Sequence, residues 1–296
     1  MRIGLLGTGP WAQAAHAPAL AGHPGLDFAG VWGRRPEAAA ELAARYGVRA
    51  YDDVDALLAD VDAVALALPP SVQAELAVRA ARAGRHLLLD KPLAVGVAEG
   101  RAVVEAVERA QVASVVFLTT RFQKEPEAWV EAQAATAGWF TARAQWLGAV
   151  FTGDSPFAHS PWRREKGALW DVGPHALSLL LPVLGDVRRV AAAAHGPADT
   201  VHLVLDHATG ASSTLTVSLT APPAAAGADL ELRGEAGTAV LPRSSEGAVP
   251  ALARAADALR TAARTGRPHP CDAAFGLRVT EILAAAEARL AGHSAD

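Results

Sequence analysis

Six residues near the start, Gly7-Thr8-Gly9-Pro10-Trp11-Ala12, constrain this chain more than any other feature. They follow directly on the run at 2–6, apolar from Ile3 on, and precede an alanine-rich segment whose apolar residues recur three and four apart. The run reads as a strand and the segment as a helix, so the two glycines fall in a strand-to-helix turn. In such a turn Gly7 permits the tight bend, Gly9 lets a ligand approach the main chain, and Ala12 lets helix pack closely on strand.

The alternation continues through residue 118. Strands are expected at 2–6, 27–32, 63–68, 86–89 and 113–118, with helices at 12–20, 36–46, 54–59, 73–83 and 97–111. This is an α/β pattern of βαβ units, a doubly wound parallel sheet of Rossmann type, and it predicts a first domain over 1–120. In that context the glycine turn is a dinucleotide site, with Gly7, Thr8, Gly9, Pro10, Trp11 and Ala12 around a pyrophosphate at the helix N-terminus. A carboxylate usually follows at the end of the second strand to hold the ribose hydroxyls of NAD. Here that position reads Gly33-Arg34-Arg35, two guanidiniums suited to a 2′-phosphate, so NADP(H) is favoured over NAD(H). The alternative, that both arginines are solvated residues of a turn before Pro36, stays open.

After Thr120 the pattern changes. A helix at 127–135, a strand at 141–147 and a loop rich in Pro, Ser, Gly and Trp at 151–165 lead to a helix at 171–184. Alternating segments at 188–194, 200–206, 212–220 and 229–233 follow, then helices at 249–264 and 273–290. This predicts a second, α+β domain over 121–296 for substrate binding and oligomerisation, built on a large, mostly antiparallel open sheet. Apolar residues at 200–206 and 212–220 exceed what one covering helix hides, which predicts a homo-oligomer, most simply a dimer.

A net charge of −4 without long runs of one sign argues against nucleic acid or a membrane as partner and points to a small molecule. One cysteine, Cys271, excludes an internal disulfide, fits a reducing, cytoplasmic setting, and reads as a buried small apolar residue. The N-terminal apolar run is too short for a signal peptide, and the later one at 176–184 is interrupted by Pro182. The ten histidines lack ligand spacing, so no metal is expected.

The third and fourth strands run into Leu68-Pro69-Pro70 and Leu89-Asp90-Lys91-Pro92. Their carboxyl ends form the edge where open α/β sheets bind ligands, making Leu68, Pro69, Asp90 and Lys91 candidates for cofactor contact. Lys91 stands out because only three of the 27 basic residues are lysines. A lysine kept there suits a compact cation that donates to one oxygen, although a side chain snorkelling from a strand end reads equally well. Asp171 and His175, four apart, would share one helix face, where a carboxylate orients an imidazole acting as general base. Asp171 as an N-cap before Pro174, with His175 in the core, is the competing reading.

Taken together, Gly7 to Ala12, Asp90-Lys91-Pro92 and Asp171-x-Gly173-x-His175 resemble the Gfo/Idh/MocA family over nearly the whole chain. The resemblance implies Lys91 near the nicotinamide and the reacting oxygen, His175 exchanging the proton, and Asp171 supporting it. It implies an NAD(P)-dependent oxidoreductase acting on a sugar, cyclitol or related polyol. A non-catalytic sensor and a redox-assisted glycosidase or epimerase are the alternatives. Trp162-Arg163 resembles a cleft segment of the family and, with His175, is a candidate for substrate contact. Three departures stand out: Asp90 replaces the usual glutamate, Gln73 stands where many relatives have histidine, and Lys166 precedes Gly167 in place of a glycine run.

Overall fold

Six short strands, almost all of them buried on both faces, form the first sheet of a computed structural model that describes residues 1–292. They are β1 (Arg2–Leu6), β2 (Asp27–Trp32), β3 (Arg49–Tyr51), β4 (Ala63–Leu66), β5 (His86–Asp90) and β6 (Ser114–Phe117). All neighbours are parallel, in the order β3-β2-β1-β4-β5-β6. The order in which successive strands are added reverses between β1 and β4, which opens a crevice at their carboxyl ends. The connecting helices are α1 (Ala17–Ala21, preceded by one wide π turn at Ala12–His16), α2 (Pro36–Tyr46), α3 (Val54–Ala59), α4 (Pro70–Arg82) and α5 (Val97–Ala110). Only β3 escapes the sequence pattern, since three residues are too few to show a period.

The second sheet contains β7 (Trp139–Leu147), β8 (Val187–His195), β9 (Val201–His207), β10 (Ser212–Ser218), β11 (Gly227–Gly234) and β12 (Gly237–Val240), preceded by α6 (Lys124–Ala134). Its order is β12-β11-β7-β10-β9-β8, with β7 and β10 parallel and every other pair antiparallel. Alternation sends Val201, Leu203, Leu205, Leu215, Val217, Leu230 and Leu232 into a core. The other face presents His202, Val204, Asp206, Thr214 and Thr216. That surface is chiefly polar, and apart from Val204 the apolar excess expected at 200–206 and 212–220 is already buried.

The helix expected at 171–184 is α8 (Gly173–Leu184), and it is preceded by α7 (Pro161–Asp171), a helix that begins in the segment read as a loop. Gly167 takes φ +65° inside α7, a value that glycine alone adopts without strain. Val172 at φ −111° then interrupts the chain before Pro174 enters the first turn of α8. Pro161–Leu184 is long and apolar enough to cross a membrane by composition, but 83% of its most apolar window is buried within the protein. That is the burial of a core helix.

The first unit ends two residues beyond the expected division at 120, and it regains a later segment. One unit comprises Met1–Phe122 with Glu246–Thr280, and the other Gln123–Ser245 with the described residues from Glu281 on. The reason is α9 (Ala248–Thr265), whose apolar stripe of Leu252, Ala255, Ala256 and Leu259 joins the core of the first sheet. The next segment extends the sheet edge, Val116 N donating to Cys271 O at 2.7 Å, with Cys271 itself 1% exposed. The last helix, α10 (Ala273–Leu290), begins in the first unit and ends in the second.

Candidate active site

The glycine turn leaves β1 at the switch between β1 and β4. Gly7 sits at φ +130°, and a Cβ there would lie 2.3 Å from the carbonyl oxygen of Ala67, so no other residue fits. Its N–H donates to Trp32 O at 2.8 Å, tying the turn to the end of β2. A Cβ on Gly9, by contrast, would meet nothing within 4 Å, which leaves that stretch of main chain open to a ligand. Ala12 is fully buried under the helix, and Gln13 Nε2 donates to Thr8 O at 3.0 Å, holding the loop's shape. This open cradle at a helix start fits a dinucleotide pyrophosphate. Gly33, where a Cβ would lie 2.6 Å from Thr8 Cγ2, brings the end of β2 against the turn, with Arg34 and Arg35 exposed beyond it.

Leu68 and Pro69 follow β4 and are half-buried, as is Lys91 after β5. Around Lys91 the main chain is tightly held. Asp90 Oδ1 accepts from Lys91 N at 2.7 Å, and the Lys91–Pro92 peptide is cis. Asp90 Oδ2 lies 3.4 Å from Nε2 of His16, a fully buried side chain on the turn after the glycine loop. Gln73, also fully buried, accepts from Asp90 N and donates to carbonyls on both sides of Lys91. Neither His16 nor the holding role of Gln73 was visible in the sequence, where Gln73 stood out only as a departure from a family pattern. Nearby, an aromatic row runs from Trp11 to Phe117 and Phe122 and ends on His269. Burial, helped by the Arg121 charge, pushes the His269 imidazole down to about 4.

In the second unit, His175 lies in the first turn of α8 with Nδ1 buried. Its ring stacks on Trp146 of β7, a partner that sequence reading missed because 29 residues separate them. Val172 separates α7, which Asp171 closes, from α8, in whose first turn His175 stands. Asp171 is 4% exposed and its Oδ2 accepts from Arg163 Nε at 2.9 Å. The N-cap of α8 is Val172, so Asp171 is not the cap. The Arg163 guanidinium sits over the rings of both Phe157 and Trp162, 4.7 and 4.6 Å from their centroids. Lys166 is tied elsewhere, its Nζ donating to Glu287, which also accepts from Trp170 Nε1.

Comparison with known proteins gives this arrangement a lineage. Residues 1–118 match a family model described as the oxidoreductase family, NAD-binding Rossmann fold, and residues 101–240 match the GFO/IDH/MocA C-terminal domain. The chain is 35% identical over 125 residues to a 4-carboxy-2-hydroxymuconate-6-semialdehyde dehydrogenase of a Sphingobium species, 41% of this chain and 39% of that protein. It is 32% identical over 202 residues to the dTDP-3,4-didehydro-2,6-dideoxy-alpha-D-glucose 3-reductase of Streptomyces violaceoruber, 64% of this chain and 56% of the reductase. The chain thus spans between about a third and somewhat over half of the length of the curated relatives it matches first. Among solved structures, levoglucosan dehydrogenase in complex with NADH and levoglucosan superposes with a TM-score of 0.84 at 21% identity, covering 99% of this chain and 97% of that one. With its Rossmann unit and its second sheet both matched by models of one family, the chain belongs to the Gfo/Idh/MocA oxidoreductases.

Proposed function

We propose that the chain is an NAD(P)-dependent oxidoreductase that moves a hydride between a nicotinamide and a hydroxyl-bearing carbon of a sugar, cyclitol or related small polyol. The observation that carries this reading is the placement of Lys91, at the carboxyl edge of the same sheet whose switch point holds the open glycine turn. Gly7, Thr8, Gly9, Pro10, Trp11 and Ala12 would hold the dinucleotide phosphates, with Leu68, Pro69 and Asp90 beside it. The nicotinamide, when bound, supplies the two-electron acceptor or donor. Lys91 donates to the reacting oxygen and stabilises negative charge as it develops there. His175 takes the hydroxyl proton in oxidation and returns it in reduction, with Asp171 supporting the ring. Trp162 offers an apolar face to the substrate, while Arg163 is committed to Asp171.

The finer reading favours NADP(H), on the strength of Gly33-Arg34-Arg35 where a ribose-binding carboxylate would otherwise stand. It includes a homo-oligomer joined through the open face of the second sheet; the polar character of that face calls for hydrogen bonds more than apolar burial. The cytoplasm is the compartment that suits its single cysteine.

A panel of polyols offered with NADP+ and NAD+, followed at the reduced-nicotinamide absorbance, tests the reading. At least one polyol is expected to reduce the cofactor, and Lys91→Ala and His175→Ala to abolish most of that turnover. Tight dinucleotide binding with no reduction by any polyol would reassign the chain as a non-catalytic binder, and binding with conversion but no net reduction as a redox-assisted enzyme.

A further inference from the structure

We propose that Gln73 is a positioning residue for Lys91, setting the turn on which the lysine stands. The hydrogen-bonded register between β4 and β5 ends at Ala65 and Leu88, so among the described residues the last ones of β5 have no strand partner on that side. The Gln73 side chain takes the place of that missing strand. Its Oε1 accepts from Asp90 N at 2.8 Å, and its Nε2 donates to Asp90 O at 2.8 Å, as a neighbouring peptide group would. The same Nε2 reaches Pro92 O at 3.1 Å and Leu93 O at 3.2 Å, beyond the lysine. The partners fix the amide's orientation: reversed, it would set an amino group against an N–H and an oxygen against three carbonyls.

Lys91 is therefore held from both flanks. Asp90 is anchored through its main chain by Gln73 and through its carboxylate by Lys91 N, with His16 Nε2 3.4 Å from the other oxygen. Pro92 and Leu93 are anchored through their carbonyls. Gln73 also sits in the first turn of α4, its own N–H bonded to Pro69 O at 2.9 Å. One side chain thus registers the Lys91 turn against the Leu68–Pro69 loop, the other strand end facing the crevice. A long flexible lysine leaves the position of Nζ dependent on where its Cα is placed, and a misplacement of about 1 Å at a reacting group can cost on the order of a hundredfold in rate.

The proposal rests on Lys91 acting in the reaction, and the test separates the two. Gln73→Glu keeps the acceptor but turns the three-carbonyl donor into an oxygen, and Gln73→Met fills similar space with no polar group. For each, three quantities are measured: kcat, the Kd for NADPH, and the rate at which acetic anhydride labels Lys91 relative to Lys124. Peptide mass spectrometry reads that ratio cleanly in a chain with three lysines. We expect kcat to fall at least tenfold, Kd to stay within threefold, and the labelling ratio to change at least threefold. A folded variant with wild-type kcat and labelling ratio would overturn the proposal and leave Gln73 as packing. Should the glutamate variant not fold, the methionine variant, which buries no charge, gives the same three readings. Wild-type kcat in Lys91→Ala would sink the role of Lys91 instead, while the labelling ratio would still report whether Gln73 sets its turn.

Discussion

The imidazole of His175 lies flat against the indole of Trp146, ring centroids 5.4 Å apart and planes within 10°. A strand supplies one ring and the first turn of a helix the other, so the stack fixes the plane in which the histidine can offer a nitrogen. Such aromatic pairs contribute about 0.5 to 1.5 kcal/mol, or roughly two- to tenfold in a rate that depends on ring orientation. Trp146→Leu is expected to lower kcat by that factor with cofactor affinity unchanged, and Trp146→Phe to retain most activity. Steady-state kinetics beside a dinucleotide titration checks it; equal kcat in all three proteins would detach the stack from catalysis.

Arg163 and Asp171 form a mostly buried ion pair, with side chains 17% and 6% exposed. Removing Arg163 takes from the buried Asp171 carboxylate the guanidinium that its Oδ2 accepts from, so Arg163→Met is expected to destabilise the protein by about 3 kcal/mol. Adding Asp171→Asn should recover most of that loss. The exposed helical pair Arg109–Glu105 provides the contrast, since Arg109→Met should change stability by less than about 0.5 kcal/mol. Urea unfolding of these four proteins and of Asp171→Asn alone measures both; additive losses in the Arg163/Asp171 double variant would mean that the pair is not coupled.

Exposed arginines at the end of β2 set the expected cofactor preference. A charge-assisted hydrogen bond to a phosphate is worth about 1.5 to 3 kcal/mol, so one good contact predicts at least a tenfold tighter Kd for NADPH than for NADH. Arg34→Ala or Arg35→Ala should erase the preference by weakening NADPH alone. Fluorescence titration with both cofactors decides it, and equal affinities untouched by either substitution would leave the arginines as turn residues.

His269 should make stability pH-dependent. Its pKa in the folded chain, about 4, lies below the ordinary 6.5, so between those values the unfolded chain holds a proton that the native one does not. Stability from this residue is therefore complete above about pH 6.5 and declines as pH falls toward 4, by about 2 kcal/mol at pH 5. His269→Phe, which keeps a ring against Phe122, is expected to flatten that decline. Burial lowers His86 and His207 as well, but both are present in wild type and variant, so the difference between the two proteins isolates His269. Urea midpoints at pH 7 and pH 5 that shift equally in the two would rule the effect out.

What the sequence disclosed was local. The glycine turn could be read because its geometry is dictated by six consecutive residues and the strand before them, and the long amphipathic helices α2 and α5 because their period is sustained. Gln73 registered only as a departure from a family pattern, since its partners lie 17 to 20 residues away across a turn that no periodicity describes. The pairing of Asp171 with Arg163 was hidden by the bend at Gly167, and the turn at Val172 between Asp171 and His175 left no mark in their four-residue spacing. Amphipathicity showed that α9 buries a face but not which sheet it covers, so 246–280 was assigned to the second domain although it belongs to the first unit.

The return of α9 to the first sheet has a consequence for biosynthesis. A nascent chain that has emerged as far as Phe122 carries all six parallel strands, the glycine turn and Lys91, yet the side of β5 and β6 against which α9 packs is still bare. At about 5 to 20 residues per second, the roughly 140 residues still to be added before α9 is complete take on the order of ten to thirty seconds of translation. Through that interval the half-covered sheet is a surface for a chaperone to hold, and the unit that leaves the ribosome first closes only after the second sheet has been made.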